Sequence, residues 1–205
     1  LAFVKRRSFL TAALALAVLA VRTDALATSI AVPFSMLVSE SAAAVLVTPS
    51  SEMAVWEADR IVTYTKVHVD SVVAGSVPGE ELSVRTLGGI VGTTGQSVDG
   101  EAALTVGRPA LLFLRPASVI RTSKGSGALT VPHAFSVTAQ AQGEFPVRVG
   151  VDGVTRVRRS GSIGGTVPLQ GALASAPRAM DVLHGLTIDD ARRTISAGWA
   201  TYHAP

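Results

Sequence analysis

From Arg60 to Val73 the chain alternates with a period of two, and that pattern leaves few folding choices open. Ile61, Thr63, Thr65, Val67, Val69, Ser71 and Val73 fall on one side, and Arg60, Tyr64, Lys66, His68 and Asp70 on the other. A strand sends successive side chains to opposite faces, whereas a helix would scatter these β-branched residues around its circumference. The segment therefore predicts a half-buried strand with its odd positions inward. Ala74 to Gly79 reads as a turn and Glu81 to Leu87 as the returning strand. A lone hairpin is marginal in water, so a long one implies further strands to cover its apolar face.

The rest of the chain supplies them. Ala42–Thr48 predicts a buried strand that Pro49-Ser50-Ser51 ends. Ala110–Leu114 (ALLFL) is apolar at every position, as a fully buried strand requires. Leu129–Ala139 is a further strand candidate, placed at an edge by Pro132. Phe145–Val151 and Val154–Arg159 flank Asp152-Gly153, which predicts a hairpin through a type I′ turn. Ser160–Ser175, poor in charge and rich in small residues, reads as a loop. Helical signals are few. Phe34–Ser41 suits a short helix. Ile188–Ala197 carries Thr187 as N-cap, Asp190 three residues on, and Gly198 as its stop. The fold expected is mainly β: an OB-like barrel or small β-sandwich with a short C-terminal helix.

Residues 1–27 have a different character. Lys5-Arg6-Arg7 precedes an apolar run from Phe9 to Val21, and Ala25-Leu26-Ala27 supplies the small-x-small pattern that signal peptidases cut. The apolar run is too short to cross a hydrocarbon core of about 30 Å comfortably. This predicts a cleaved signal, with recognition at Arg6, Arg7, Ala25 and Ala27, and a single β-dominated domain over 28–205 in the periplasm or outside the cell. An uncleaved segment would instead anchor the chain to the envelope, the one membrane association expected. Arg6-Arg7-Ser8-Phe9-Leu10 resembles the twin-arginine export signature of bacteria, which implies passage across the membrane in the folded state.

Charge excludes one large class of partner. Four of the 18 basic residues and one of the 15 acids lie in 1–27, so the remainder carries 14 of each. A neutral domain lacks the electrostatic footprint of nucleic-acid binding. With no Cys, thiolate zinc sites, Fe–S clusters and thiol nucleophiles are also excluded.

Chemistry-bearing motifs are sparse. No His pair has the HExxH spacing, and no serine sits in GxSxG. His68 belongs to a solvated stripe with Lys66 and Asp70. His184 reads as loop surface and His203 as a frayed end. His133, between Val131 and Phe135, is the residue on which a spatially assembled hydrolase site would depend. The stretch 88–100 is rich in glycine but lacks the Lys-Ser/Thr pair of a phosphate loop, so it reads as a conformationally demanding loop. Loops on β scaffolds carry function, which makes Gly88, Gly89, Gly92 and Gln96 the first candidate contact surface. Arg148, Arg156 and Arg158, with Arg159, form a basic cluster across the Asp-Gly hairpin and are the second, suited to an anionic protein or other envelope component. Glu52, Glu57 and Asp59 around Trp56 lack EF-hand spacing and read as an exposed acidic loop. No cofactor or metal is implied. The function expected is an exported binding or structural module, with a secreted hydrolase and an anchored envelope protein as alternatives.

Tyr64-x-Lys66-Val67-x-Val69-x-x-Val72-x-x-Gly75, a returning strand, and Gly107-x-x-Ala110-Leu111-Leu112-Phe113-Leu114 resemble the strand order of netrin/TIMP-like OB-fold modules. The stretch is also similar to uncharacterised exported myxobacterial proteins with a GGxxG loop after the second strand. The resemblance spans 40–115 and implies a small, partly closed barrel, with 128–205 adding a hairpin and helix. The inhibitory members act through cysteine. This chain has none, so their disulfides and zinc-directed mechanism do not carry over.

Overall fold

The computed structural model describes residues 28–117 and 134–203. Residues 1–27, which the sequence reading assigns to an export signal, and His133 lie outside the described residues. In chain order the elements are β1 (Thr28–Ile30), α1 (Phe34–Ser39), β2 (Ala43–Glu57), β3 (Arg60–Gly75), β4 (Glu81–Leu87), β5 (Gly89–Val91), β6 (Thr94–Gln96), β7 (Ala110–Pro116), β8 (Ala134–Val137), β9 (Glu144–Val149), β10 (Thr155–Val157), β11 (Gly165–Val167), α2 (Ala179–Leu183) and α3 (Ile188–Tyr202). No helix among the described residues is long and apolar enough to cross a membrane.

Five strands close into a ring. β7 pairs with β2, β2 with β3, β3 with β4, and β4 with β8 in parallel; β8 then returns antiparallel to β7. β7 serves two neighbours along one edge. Ala110–Leu112 bond β9, and Leu114–Pro116 bond β8. The sheet therefore branches near Phe113, whose carbonyl accepts from the Thr138 N–H at 2.8 Å. This is the mainly β fold that the alternation predicts.

Alternation also builds the core. Ala43, Val45, Val47, Val67, Val69, Leu82, Val84, Leu112, Leu114, Phe135 and Val137 fill the inside of the ring, every second residue of each strand. The intervening residues Ala44, Leu46, Leu111 and Phe113 face outward, where Leu37, Val38, Leu183, Ala191 and Ile195 of the helices cover them with Phe145 and Val147 of β9. ALLFL is apolar throughout because β7 is buried on both faces.

Several boundaries differ from the sequence expectation, each for a local reason. β2 does not stop at Pro49 but runs to Glu57. β7 leaves β2 after Val47, so the N–H that Pro49 lacks is not needed there, and the register slips between Pro49 and Ser51. α3 keeps the Thr187 cap, whose Oγ1 accepts from the Asp190 N–H at 3.2 Å, but continues through Gly198 to Tyr202. Gly198 admits a neighbour: a Cβ there would lie 2.9 Å from Phe34 Cε1 of α1. The Asp-Gly hairpin is not type I′. Gly153 has φ +75° while Asp152 is not in the left-handed region, and Gly153 N–H bonds Gly150 O at 3.0 Å. This is a type I turn followed by a left-handed glycine, with Val151-Asp152-Gly153 as the loop. Within the expected 160–175 loop, β11 pairs in parallel with β1. The buried Gln142 fastens that N-terminal strand, accepting from Val32 N at 2.8 Å and donating to Ile30 O at 2.9 Å.

Candidate functional site

Past Val47, β2 runs on without β7, and the β2–β3 ribbon continues to a tight turn at Ala58-Asp59, with β5–β6 folded back over it. The stretch read as a Gly-rich loop is thus largely a second hairpin. Its attachment uses the residues singled out from sequence. Gly88 N–H donates to Ile61 O at 2.8 Å, Ile61 N–H to Gln96 Oε1 at 2.7 Å, and Thr63 Oγ1 to Gly88 O at 2.7 Å. Gly88 and Gly89 have φ of +93° and +131°. A Cβ at Gly89 would collide with the Thr63 hydroxyl and come within 3.0 Å of Ala54 Cβ. Glycine is required here for backbone direction and for close approach. Gly92 has φ +60° at the tip, with open space around it.

Two large apolar side chains stand in solvent at this end. Ile90, next to Gly89, is 73% exposed, and Trp56 is 52% exposed. Trp56 lies opposite Ile61, so it shares the ribbon face on which Gly89 rests. Neither belongs to the contact surfaces expected from the sequence, although a Trp among acids was a visible signal.

On the opposite ribbon face three polar side chains meet. Arg85 Nη2 and Nε lie 2.6 and 3.1 Å from Glu57 Oε2, and the Tyr64 hydroxyl donates to Glu57 Oε1. Two expectations are corrected. Glu57 is not part of an exposed acidic loop, and Tyr64 is not on a solvated face but buried. Burial raises the Glu57 pKa, but the hydrogen bonds from Arg85 and Tyr64 outweigh it and hold the carboxyl below its ordinary value. Burial and the Glu57 carboxylate push Tyr64 up to about 12. All three groups are thereby locked in their neutral-pH charge states. The arrangement suits a structural ion pair and not proton transfer, which needs a pKa near the working pH.

Two further glutamates flank the segment leading into β7. Glu144, buried at the start of β9, accepts from Ala103 N–H at 3.0 Å and from Ser160 Oγ at 2.8 Å. Glu101 accepts from Ala102 N–H at 3.1 Å. Burial raises the pKa of each, and Glu101 raises that of Glu144 further.

The arginine cluster stands apart. Arg148 pairs across β9–β10 with Arg156, and Arg158 follows just past the end of β10. Arg156 forms a two-pronged ion pair with Asp152, at 2.8 and 2.7 Å. Among the described residues no hydrogen bond or ion pair joins this hairpin to the β5–β6 clamp. Of the histidines described, His68 contacts Glu81 at 3.2 Å on the exposed stripe, and His184 Nδ1 accepts from Arg159 N–H at 3.1 Å. His203 is not frayed: it stacks on Trp199 with ring centroids 4.0 Å apart.

Fold and site together define a closed five-stranded β ring with a helical layer on one outer wall and two projecting hairpin ends. The chain matches no family model, no curated protein and no solved structure.

Proposed function

We propose that this chain is an exported binding module whose principal contact surface is the ribbon end bearing Trp56 and Ile90. One observation carries the reading: two large apolar side chains stand in solvent at one end, Trp56 on β2 and Ile90 on a hairpin whose own anchoring uses two positive-φ glycines and a glutamine side chain. Neither side chain is used by the cores inside or outside the ring. Exposed aromatic and branched side chains on a rigid support are the usual anchors of interfaces. Export rests on the N-terminal pattern.

Two measurements test this. The intact mass of protein recovered from its host's envelope fraction should correspond to a start at Thr28; a retained N-terminus overturns the cleaved-signal reading. A photo-crosslinking residue placed at Ile90 or Trp56 in the living host should give discrete adducts absent at the control position Lys66. Equal labelling at all three positions overturns the surface assignment.

A further inference from the structure

The β9–β10 hairpin carries features that folding does not explain. Val147 and Val157 are still buried in the core, and β10 is held there along its other edge by Gly185, Leu186 and Thr187; only beyond them, from Arg148 and Arg156 to the turn, does the hairpin leave the body of the protein. Val149 is 69% exposed, Val154 is also exposed, and Val151 at the tip is wholly in solvent. Behind this apolar tip Arg148 stands directly opposite Arg156, and Arg158 follows just past the end of β10. Like charges paired across strands destabilise a sheet, a cost that Asp152 relieves in part by pairing with Arg156, and three exposed valines contribute nothing to a core. Both costs are offset when the hairpin meets a surface that is anionic outside and apolar beneath.

We infer that the β9–β10 hairpin is a membrane-surface contact, its valine tip entering the interface of an anionic bilayer while Arg148 and Arg158 meet lipid phosphates. The dimensions fit. Strands rise about 3.3 Å per residue, so the turn that carries Val151, opening at Gly150, stands roughly 7 Å beyond Arg148, comparable with the depth at which apolar faces settle between headgroups and acyl chains. Asp152, the one acid at the tip, is neutralised in place by Arg156. The convex, two-strand-wide end offers little of the area, about 800 Å² per partner, that a stable protein interface buries. The inference is independent of the ribbon surface proposed above and of any uncleaved N-terminus.

The test uses the chain from Thr28 onward, which carries every described element and excludes the apolar N-terminal run. Because the protein has no Cys, Val151→Cys takes a single environment-sensitive fluorophore, with His68→Cys as the control. Vesicles of phosphatidylglycerol and phosphatidylcholine in equal parts should shift the Val151 label to the blue and leave the His68 label unchanged. Vesicles of phosphatidylcholine alone should bind far more weakly. Arg148→Ala with Arg158→Ala should weaken binding on the order of tenfold. Absence of binding to the anionic vesicles overturns the inference. So does binding that depends on the arginines while the Val151 label stays in water, which would point to a soluble acidic partner. Arg148 is exposed and Arg158 half-buried, and an unchanged circular dichroism spectrum confirms that the variants are folded.

Discussion

Arg85 lays its guanidinium against the carboxylate of Glu57, with Nη2 2.6 Å from Oε2 and both side chains largely withdrawn from water. Removing one partner leaves the other charged in a poorly solvated place, which costs more than the pair contributes when intact. Glu57→Gln should therefore lower stability by about 3 kcal/mol in urea denaturation, whereas Glu57→Leu with Arg85→Met should cost less than either single change. A Glu57→Gln variant as stable as the wild type would show that the pair is dispensable.

The shifted acids predict a bell-shaped stability profile. Glu101 and Glu144 have raised folded pKa values, so their contribution is full below the ordinary 4.5 and is lost as pH rises through the folded values. Glu57 and Asp190 have lowered values, so theirs is present above the ordinary values and is lost as pH falls through the folded ones. The denaturation midpoint should rise as pH is lowered from neutral and then fall in acid. Glu144→Gln, which retains one acceptor oxygen, should flatten the neutral side and leave the acid side as it was. An unchanged neutral slope would remove Glu144 as its source.

Gly198 holds α1 and α3 together by having no side chain. Leucine there would drive into Phe34 and Val38, the latter 3.6 Å from the position of a Cβ. Gly198→Leu should destabilise by about 1–3 kcal/mol despite leucine's better helix propensity. A stabilised variant would mean that the two helices separate without cost.

Gly89→Ala should detach the β5–β6 hairpin without unfolding the ring. The substitution places a Cβ at φ +131° against Thr63 and Ala54. Hydrogen exchange should accelerate at the Gly88 and Ile61 amides, which hold the hairpin down. The Val45 and Leu112 amides in the ring wall should remain protected.

Trp56 and Ile90, as contact residues, should be neutral for folding. Trp56→Ser and Ile90→Ser should each change stability by no more than about 0.5 kcal/mol while abolishing the crosslinks expected from this end. A loss of several kcal/mol from either would make it a core residue and withdraw the proposed surface.

Much of the fold was legible because it depends on period. The alternation in β3, the uniform apolarity of β7 and the Thr187 cap each follow from local steric and hydrogen-bonding rules. The candidate site was legible only in part. Gly88, Gly89 and Gln96 stood out by composition, but their task of fastening a hairpin depends on Ile61 and Thr63, more than twenty residues away in sequence. Tyr64 read as exposed by parity alone. Its burial comes from Val62 and Ala134, which join it in a cluster on the outside of the ring.

The sequence by itself determined that the chain makes strands, where most of them lie, and which residues of β3 face inward between Thr65 and Val69. Those are properties of neighbours along the backbone. Only the tertiary structure decided that β8 closes the ring between β4 and β7, that β2 passes Pro49, that α3 passes Gly198, and that Glu57 meets Arg85. Each of these turns on which distant segment occupies an edge or a face. A strand tolerates proline where no neighbour asks for its N–H, a helix keeps a glycine where an aromatic ring fills the gap, and an acid is buried where a guanidinium arrives to meet it.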